Sequence, residues 1–443
     1  MLKTFPKGGV HLTDNKITAG KPIDNLPVPP TVTIPVSQHA GAPAEVLVQV
    51  GDKVKVGQLL AQSAGFISGN IHSSVSGTVK KIEPATDSSG FKKPAIIIDV
   101  EGDEWLETID RSETLITEIK ASPEEIIQKI KAAGLVGLGG AAFPAHVKLS
   151  IPEGKKAECL VINGVECEPY LTCDHRLMLE KSEEILVGIA LLMEALNVDK
   201  TFIGIEKNKP DAIEKLSVLA KDYPGVSVVP LKEKYPQGSE KQLLRATLGR
   251  EVPAGALPID LGAVVFNVGS IFAVYEAVQK NKPLIERVVT VTGKTLSNPS
   301  NFKVRIGTPV INLLEAAGGV TEEAGKILSG GPMMGRALTN TNVPIVKGSS
   351  GILVLPDTES KRRPVESCIR CGKCVSICCM GLEPFLLMAL TERNLTERLE
   401  KEKVTNCIEC GSCSYTCPSS RPLLDYIRQG KSTVNNIIRA RKK

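Results

Sequence analysis

Cys368-Ile-Arg-Cys371-Gly-Lys-Cys374-Val-Ser-Ile-Cys378 and Cys407-Ile-Glu-Cys410-Gly-Ser-Cys413-Ser-Tyr-Thr-Cys417-Pro418 share one spacing, C-x2-C-x2-C-x3-C. Two-residue gaps let three thiolates wrap one corner of a 4Fe–4S cube, while the fourth cysteine of the run points away. In two-cluster ferredoxins that fourth cysteine ligates the other cluster. On this pattern Cys368, Cys371, Cys374 and Cys417 hold a first cluster, and Cys407, Cys410, Cys413 and Cys378 a second. Zinc sites use two C-x2-C pairs, without a third cysteine at the same gap or a C-x3-C tail, so the spacing argues for clusters. Cys379 follows Cys378 where a proline often stands, and it reads as a bystander.

Working outward, the 443-residue chain is long enough for several domains, and 42% hydrophobic residues fill their cores. A net charge of +5, one Trp and 4% aromatics give no basic, base-stacking groove, so nucleic acid is not an expected partner. The N-terminus lacks the apolar core of a signal peptide. No apolar run reaches the roughly 18 residues of a membrane span. The longest, Leu261–Tyr275, is interrupted by Asn267 and Ser270 and reads as a buried strand or helix. The chain is expected to be soluble, with peripheral attachment to a membrane protein open. The four cysteines outside the runs do not suggest disulfides; Cys159, Cys167 and Cys173 read as buried thiols.

The local patterns divide the chain. Residues 1–30 read as an extended arm. Residues 31–120 carry short apolar runs between glycine turns, among them Val46–Val50 before Gly51-Asp52, and suggest a small β barrel or sandwich. Residues 121–284 alternate helix and strand in an α/β pattern. There Ser122-Pro123-Glu124-Glu125 caps a helix to about Ala133, and Leu160–Ile162 forms a short buried strand ending at Asn163. Residues 285–355 read as a smaller α+β unit, with a helix stopped by Gly318-Gly319 and a glycine-rich loop at 328–335. Residues 356–430 hold the cysteine runs around a helix expected over 384–400. The basic tail, 431–443, reads either as a frayed, solvated end or as a docking element for an acidic partner or anionic lipid.

A second motif is Gly137-Leu-Gly139-Gly140-Ala-Ala-Phe143-Pro144. Close glycines let backbone N–H groups approach a phosphate or a flat ring, but the same pattern also makes a plain tight turn. It lacks the Lys-Ser/Thr of a Walker loop and the spacing of the dinucleotide fingerprint. Lys148 lies just downstream, and Asn163, Glu166 and Glu168 cluster at a strand end, where α/β sheets place ligands. Two clusters favour the cofactor reading, because a flavin converts hydride pairs into the single electrons that clusters carry.

With these motifs in view, the chain resembles the C subunits of Rnf complexes, membrane-bound ferredoxin:NAD oxidoreductases, over nearly its whole length. Lys7-Gly-Gly-Val-His11 resembles the family's opening motif. Gln38-His39-Ala-Gly-Ala-Pro43, Val50-Gly-Asp-Lys-Val54, Gly57-Gln58 and His72-Ser-Ser-Val-Ser-Gly77 resemble its lipoyl-like barrel-sandwich domain, without the Met-Lys-Met motif of a swinging arm. The middle is similar to the flavin subunit of respiratory complex I. That resemblance implies FMN wrapped by Gly137, Gly139 and Gly140. It implies Phe143 near the nicotinamide and Lys148 near the flavin phosphate. Asn163, Glu166 and Glu168 match an acidic loop, the first two approaching flavin and Glu168 approaching NADH. Gly238-Ser-Glu240 stands where that family has Gly-Glu-Glu, and Asn267 matches a flavin-contacting asparagine. Val165 and Ser239 depart from the pattern by replacing acids. Residues 285–355 resemble a β-grasp-like ligand-binding module.

The resemblance implies a peripheral subunit on the cytoplasmic face of the membrane. It would exchange hydride between NAD(H) and FMN, and single electrons with two 4Fe–4S clusters, in a complex that couples ferredoxin:NAD electron flow to sodium-ion or proton transport. Implied partners are the ferredoxin-like B subunit and the integral membrane subunits. A microcompartment cobalamin reductase has the same organisation and is the rival within the class. An electron-transfer scaffold without its own nucleotide site is the rival outside it. The related sodium-pumping quinone reductase subunit lacks the cysteines.

Overall fold

The computed structural model describes residues 2–441. Thr31–Pro35, Lys92–Val100, Gly77–Thr86 and Lys53–Val54 form one antiparallel sheet, and Glu45–Val46, Leu59–Gln62 and Ile71–His72 a second. Alternating residues of the two sheets, Val32, Ile34, Leu60, Ile71, Val79, Ile96 and Ile98, meet in a fully buried core. The strand expected over Val46–Val50 ends at Val46. The Gln49 N–H donates to the Asp52 carboxylate at 2.8 Å and Gly51 sits at φ +95°, so a side-chain-closed turn displaces the ladder.

The α/β unit is a four-stranded parallel sheet. Its strands are β1 (Cys159–Asn163), β2 (Thr201–Glu206), β3 (Val226–Leu231) and β4 (Ala263–Asn267), in the order β3-β2-β1-β4. The Pro123–Ala132 helix begins with the expected reciprocal cap between Ser122 and Glu125. The apolar Leu261–Tyr275 stretch divides at Asn267, which ends β4 and caps the Val268–Gln279 helix through Gly269 N–H at 2.9 Å.

A six-stranded mixed sheet follows, with the Val310–Ala316 helix against it. Gly318 and Gly319 end that helix at φ +94° and +79°, as their placement predicts. One edge strand of this sheet, Ile23–Asn25, comes from the N-terminal arm. The arm is extended and bound along its path. Val10 and Tyr235 exchange two 2.8 Å backbone hydrogen bonds, and Phe5 is fully buried. Gly9 N–H reaches the Ile377 carbonyl at 2.9 Å. Gly8, at φ +63°, leaves no room for a Cβ, which would lie 2.5 Å from that carbonyl oxygen.

In the C-terminal unit the single helix expected over 384–400 is two helices, Pro384–Glu392 and Thr396–Lys401, broken where Asn394 adopts φ +55°. The expected frayed tail is also corrected. Leu423–Arg441 is one helix that buries Leu423, Leu424, Ile427, Gly430 and Val434. Its charges are largely paired within the chain: Arg428 and Lys431 with Glu409, at 3.1 and 2.8 Å, and Arg441 with Glu400, at 2.9 Å. Lys442 and Lys443, part of the expected tail, lie outside the described residues. Among the described residues, no helix is long and apolar enough to cross a membrane.

Candidate functional site

From β1 the chain moves to β2 and β3 on one side and returns to β4 on the other. The carboxyl ends of β1 and β4 therefore bound a crevice, the place where open α/β sheets bind ligands. Asn163 and Asn267, paired in register, stand at its floor. The cleft measures about 340 Å³, within the roughly 300–1,000 Å³ usual for cofactor sites. Gly137, Gly139, Phe143, Lys148, Asn163, Glu166, Glu168, Gly238, Glu240 and Asn267 all line it. Gly140 does not. It is exposed at φ +104° and turns the loop that the Gly137 N–H to Phe143 carbonyl bond closes at 2.8 Å. The loop is thus both a tight turn and a cleft wall. A Cβ at Gly137 or Gly139 would meet nothing nearer than 3.7 or 3.6 Å, so the space the two glycines leave opens to the cleft and suits a flat ring.

Several of these side chains are held by partners. The Asn163 amide donates to the Gly238 carbonyl at 2.8 Å, tying β1 to the segment before the Glu240–Leu248 helix. Ser239 makes no side-chain cap there, so the helix start meets the cleft with uncapped N–H groups. Lys148 bonds Glu240 at 2.8 Å and the Val265 carbonyl at 3.0 Å. Glu166 accepts the Asp174 N–H at 2.8 Å and the His175 N–H at 3.2 Å, capping the Cys173–Glu180 helix. Glu166, Cys173 and Asp174 place their ligand atoms within 4.8 Å of one another, but the helix cap already engages Glu166. Val165 is fully buried and its carbonyl accepts from Lys209 at 2.7 Å, so this departure from the acidic pattern serves the core.

Burial shapes the electrostatics. The Glu168 carboxyl is raised to about 7 by burial, against the pull of the Met333 and Met334 N–H groups that donate to it at 3.1 and 2.8 Å. These contacts bring the 328–335 loop over the cleft, where Met334 lines it. Asp174 is also raised to about 7, by burial and then by Glu166, while the Asn267 amide bonds it at 2.6 Å. Sequence reasoning missed Asp174 and Tyr235, and it missed Lys16. The Lys16 ammonium donates to the Glu166, Glu168 and Leu171 carbonyls at 2.8, 2.9 and 2.6 Å and so shapes the acidic loop.

The cysteine runs meet this cleft. Cys410 and Ile408 line it beside Tyr235, whose hydroxyl donates to the Cys410 carbonyl at 2.8 Å. Behind Cys410, a small cavity is bounded by Cys378, Cys407, Cys410 and Cys413, and by Cys379. Burial raises the Cys413 thiol, and the thiols of Cys407, Cys410 and Cys378 add to it. Burial likewise raises Cys374, with Cys417 adding to it. The fourth cysteine of each run thus lies near the other run. An all-thiol donor set of this kind suits iron–sulfur clusters.

Comparison with known proteins accounts for the same parts. The RnfC barrel sandwich hybrid domain model matches residues 3–103 and the Nuo51 FMN-binding domain model residues 130–276. The SLBB domain model matches residues 288–337, and a 4Fe-4S binding domain model residues 365–381 and 405–425. The C subunit of the proton-translocating ferredoxin:NAD(+) oxidoreductase complex of Clostridium ljungdahlii is 48% identical over 98% of this chain and 94% of its own length. Its counterpart in the Na(+)-translocating complex of Acetobacterium woodii is 43% identical over 97% of this chain and 96% of its own. The chain belongs to the C-subunit family of Rnf-type ion-translocating ferredoxin:NAD(+) oxidoreductases. That membership decides against the cobalamin-reductase rival and makes the chain an electron-transfer subunit that joins an FMN-binding domain to a 4Fe–4S domain. Crystal structures of an NAD+-reducing NiFe-hydrogenase, H2-reduced and air-oxidised, share the fold. Their TM-scores are 0.50 and 0.51, at 19% and 18% identity, each covering 71% of this chain and 63% of the other.

Proposed function

We propose that this Rnf-type C subunit binds FMN and NAD(H) in the cleft between β1 and β4 and carries electrons through two 4Fe–4S clusters. One observation supports this above the others: Cys410, of the second cysteine run, lines the same cleft as the glycine loop. Flavin chemistry supplies the conversion between a hydride pair and single electrons, and the clusters carry the latter. Cys368, Cys371, Cys374 and Cys417 would hold one cluster, and Cys407, Cys410, Cys413 and Cys378 the other.

The chain's own residues would divide the remaining work. Gly137 and Gly139 leave room for the ring, and Gly140 sets the turn that presents them. Lys148 and the uncapped start of the Glu240–Leu248 helix put positive potential where a phosphate would sit. Asn163 and Asn267, at the ends of β1 and β4, and Gly238 and Glu240 beside them would line the flavin's place in the cleft. Glu166 acts through the helix it caps. Phe143 and Glu168 flank the nicotinamide side, and the Glu168 carboxyl, raised to about 7, holds a proton near neutrality.

As in the relatives, the electrons would pass between ferredoxin and NAD, with the ferredoxin-like B subunit and the integral membrane subunits as partners on the cytoplasmic face. Ion translocation, of sodium or protons, would lie in those partners. An FMN titration of the wild type and Gly137→Val tests the cleft. The valine fills ring space, so FMN affinity is expected to fall at least about tenfold with iron content unchanged. Equal affinities would remove FMN from this cleft.

A further inference from the structure

We propose that Ser412 raises the reduction potential of the second cluster, through a hydrogen bond from its hydroxyl to the sulfur of Cys410. The inference rests on the two-cluster reading above and adds the side chain that tunes the cluster facing the cleft.

The two cysteine runs match in spacing but not in the residues between the ligands. After the second cysteine and its glycine, the first run has Lys373 and the second has Ser412. Gly372 and Gly411 make the same left-handed turn, at φ +70° and +78°. Lys373 and Ser412 therefore open equivalent short helices, Lys373–Ser376 and Ser412–Thr416. Their surroundings differ. Lys373 is exposed, whereas Ser412 is 1% exposed. A buried hydroxyl needs a partner. Among the described residues the Ser412 Oγ has one, the Cys410 Sγ at 3.4 Å.

This contact is unlike the others made to ligand sulfurs. Cys407 accepts from the Glu409 N–H at 3.4 Å, and Cys378 from the Leu382 N–H at 3.3 Å. Those donors are backbone groups, which any residue but proline supplies. Ser412 brings the one side-chain hydroxyl that bonds a ligand sulfur among the described residues. Cys379 borders the same small cavity, but a thiol is a weaker donor than a hydroxyl. Of the eight cysteines in the two runs, Cys410 is the one that lines the cleft. The hydroxyl thus acts on the ligand through which the second cluster meets the flavin's place.

The sign of the effect follows from charge. Reduction adds one electron to the cluster, and part of that charge spreads onto the ligand sulfurs. A hydrogen bond to an acceptor strengthens as the acceptor becomes more negative. The Ser412 hydroxyl therefore stabilises the reduced form more than the oxidised form, which raises the potential. The cluster gains one electron as the flavin or the first cluster loses one, no bond forms or breaks, and the proton stays on the Ser412 Oγ. Ser412 is a positioning residue, since it acts through Cys410. With Lys373 at the equivalent place in the first run, the bond biases electrons toward the cluster at the cleft.

The test is a potentiometric titration, followed by EPR, of the anaerobically purified full chain with its iron counted. Ser412→Ala removes the hydroxyl. At a fixed potential the reduced-to-oxidised ratio of one cluster is expected to fall about threefold to tenfold, about 28–59 mV for a one-electron couple. The midpoint of the other cluster should stay at its wild-type value. Ser412→Thr keeps the hydroxyl and should restore the wild-type ratio. Should Ser412→Ala lose iron, Ser412→Thr and Ser412→Val, alike in shape, carry the test, with the valine lower than the threonine by the same factor. Wild-type midpoints in Ser412→Ala, at about eight irons, overturn the tuning alone. So does a midpoint for Ser412→Thr as low as that of Ser412→Ala or Ser412→Val. A wild-type chain with only about four irons sinks the two-cluster reading, and the tuning with it.

Discussion

The Tyr235 hydroxyl donates a 2.8 Å hydrogen bond to the carbonyl of Cys410. The bond joins the wall of the FMN-domain cleft to the loop of the second cysteine run. Tyr235 is itself fixed through two backbone bonds to Val10 of the N-terminal arm. Arm, cleft and cluster loop thus share one residue.

Tyr235→Phe tests that junction. Losing the bond leaves a carbonyl without its donor, at a cost of about 1–2 kcal/mol. Reduction of the clusters by NADH is expected to slow several-fold in stopped-flow traces, with flavin bleaching at the wild-type rate. An unchanged cluster rate would mean the bond does not position the transfer route.

The crossed ligation predicts a difference between adjacent cysteines. Cys378→Ala is expected to lower iron from about eight to about four per chain, and Cys379→Ala to leave it at about eight. Both residues border the same small cavity, so iron analysis with EPR decides which is the ligand. The reverse pattern would move the ligand to Cys379.

Lys16→Met removes three donors from the Glu166, Glu168 and Leu171 carbonyls. The loss is about 3 kcal/mol or more locally, since each bond is charge-assisted. FMN content after purification should fall, and proteolysis within 165–171 should quicken. Wild-type FMN retention would show that the loop holds its shape without the arm.

Glu168 gives a pH dependence. Burial raises its carboxyl from 4.5 to about 7. Its contribution to stability is therefore fully present below about 4.5 and is lost as pH rises through about 7. Glu168→Gln, neutral throughout, is expected to match the wild type in thermal midpoint near pH 4.5 and to exceed it near pH 8, by about 2 °C or more. A midpoint difference that does not change with pH would contradict the shift.

What is legible in the sequence is mostly local. Ligand spacing around a cube is set within a dozen residues, so both cysteine runs can be read directly, and the glycine loop and strand-end acids fall together for similar reasons. Lys16 is illegible because its three acceptors lie about 150 residues away. Gly140 reads in the sequence as a cleft residue, but its positive φ serves the turn. The tail reads by its charge. The helix that runs into it, Leu423–Arg441, buries Leu423, Ile427, Gly430 and Val434 at helical spacing, and these positions decide the structure.

The most direct test of the account is anaerobic purification with flavin and iron quantification, followed by NADH addition monitored by EPR. The account predicts about one FMN and about eight irons per chain, with cluster signals that appear on adding NADH. Eight irons with no flavin, even after FMN is supplied, would contradict it and leave the chain a relay without a converter.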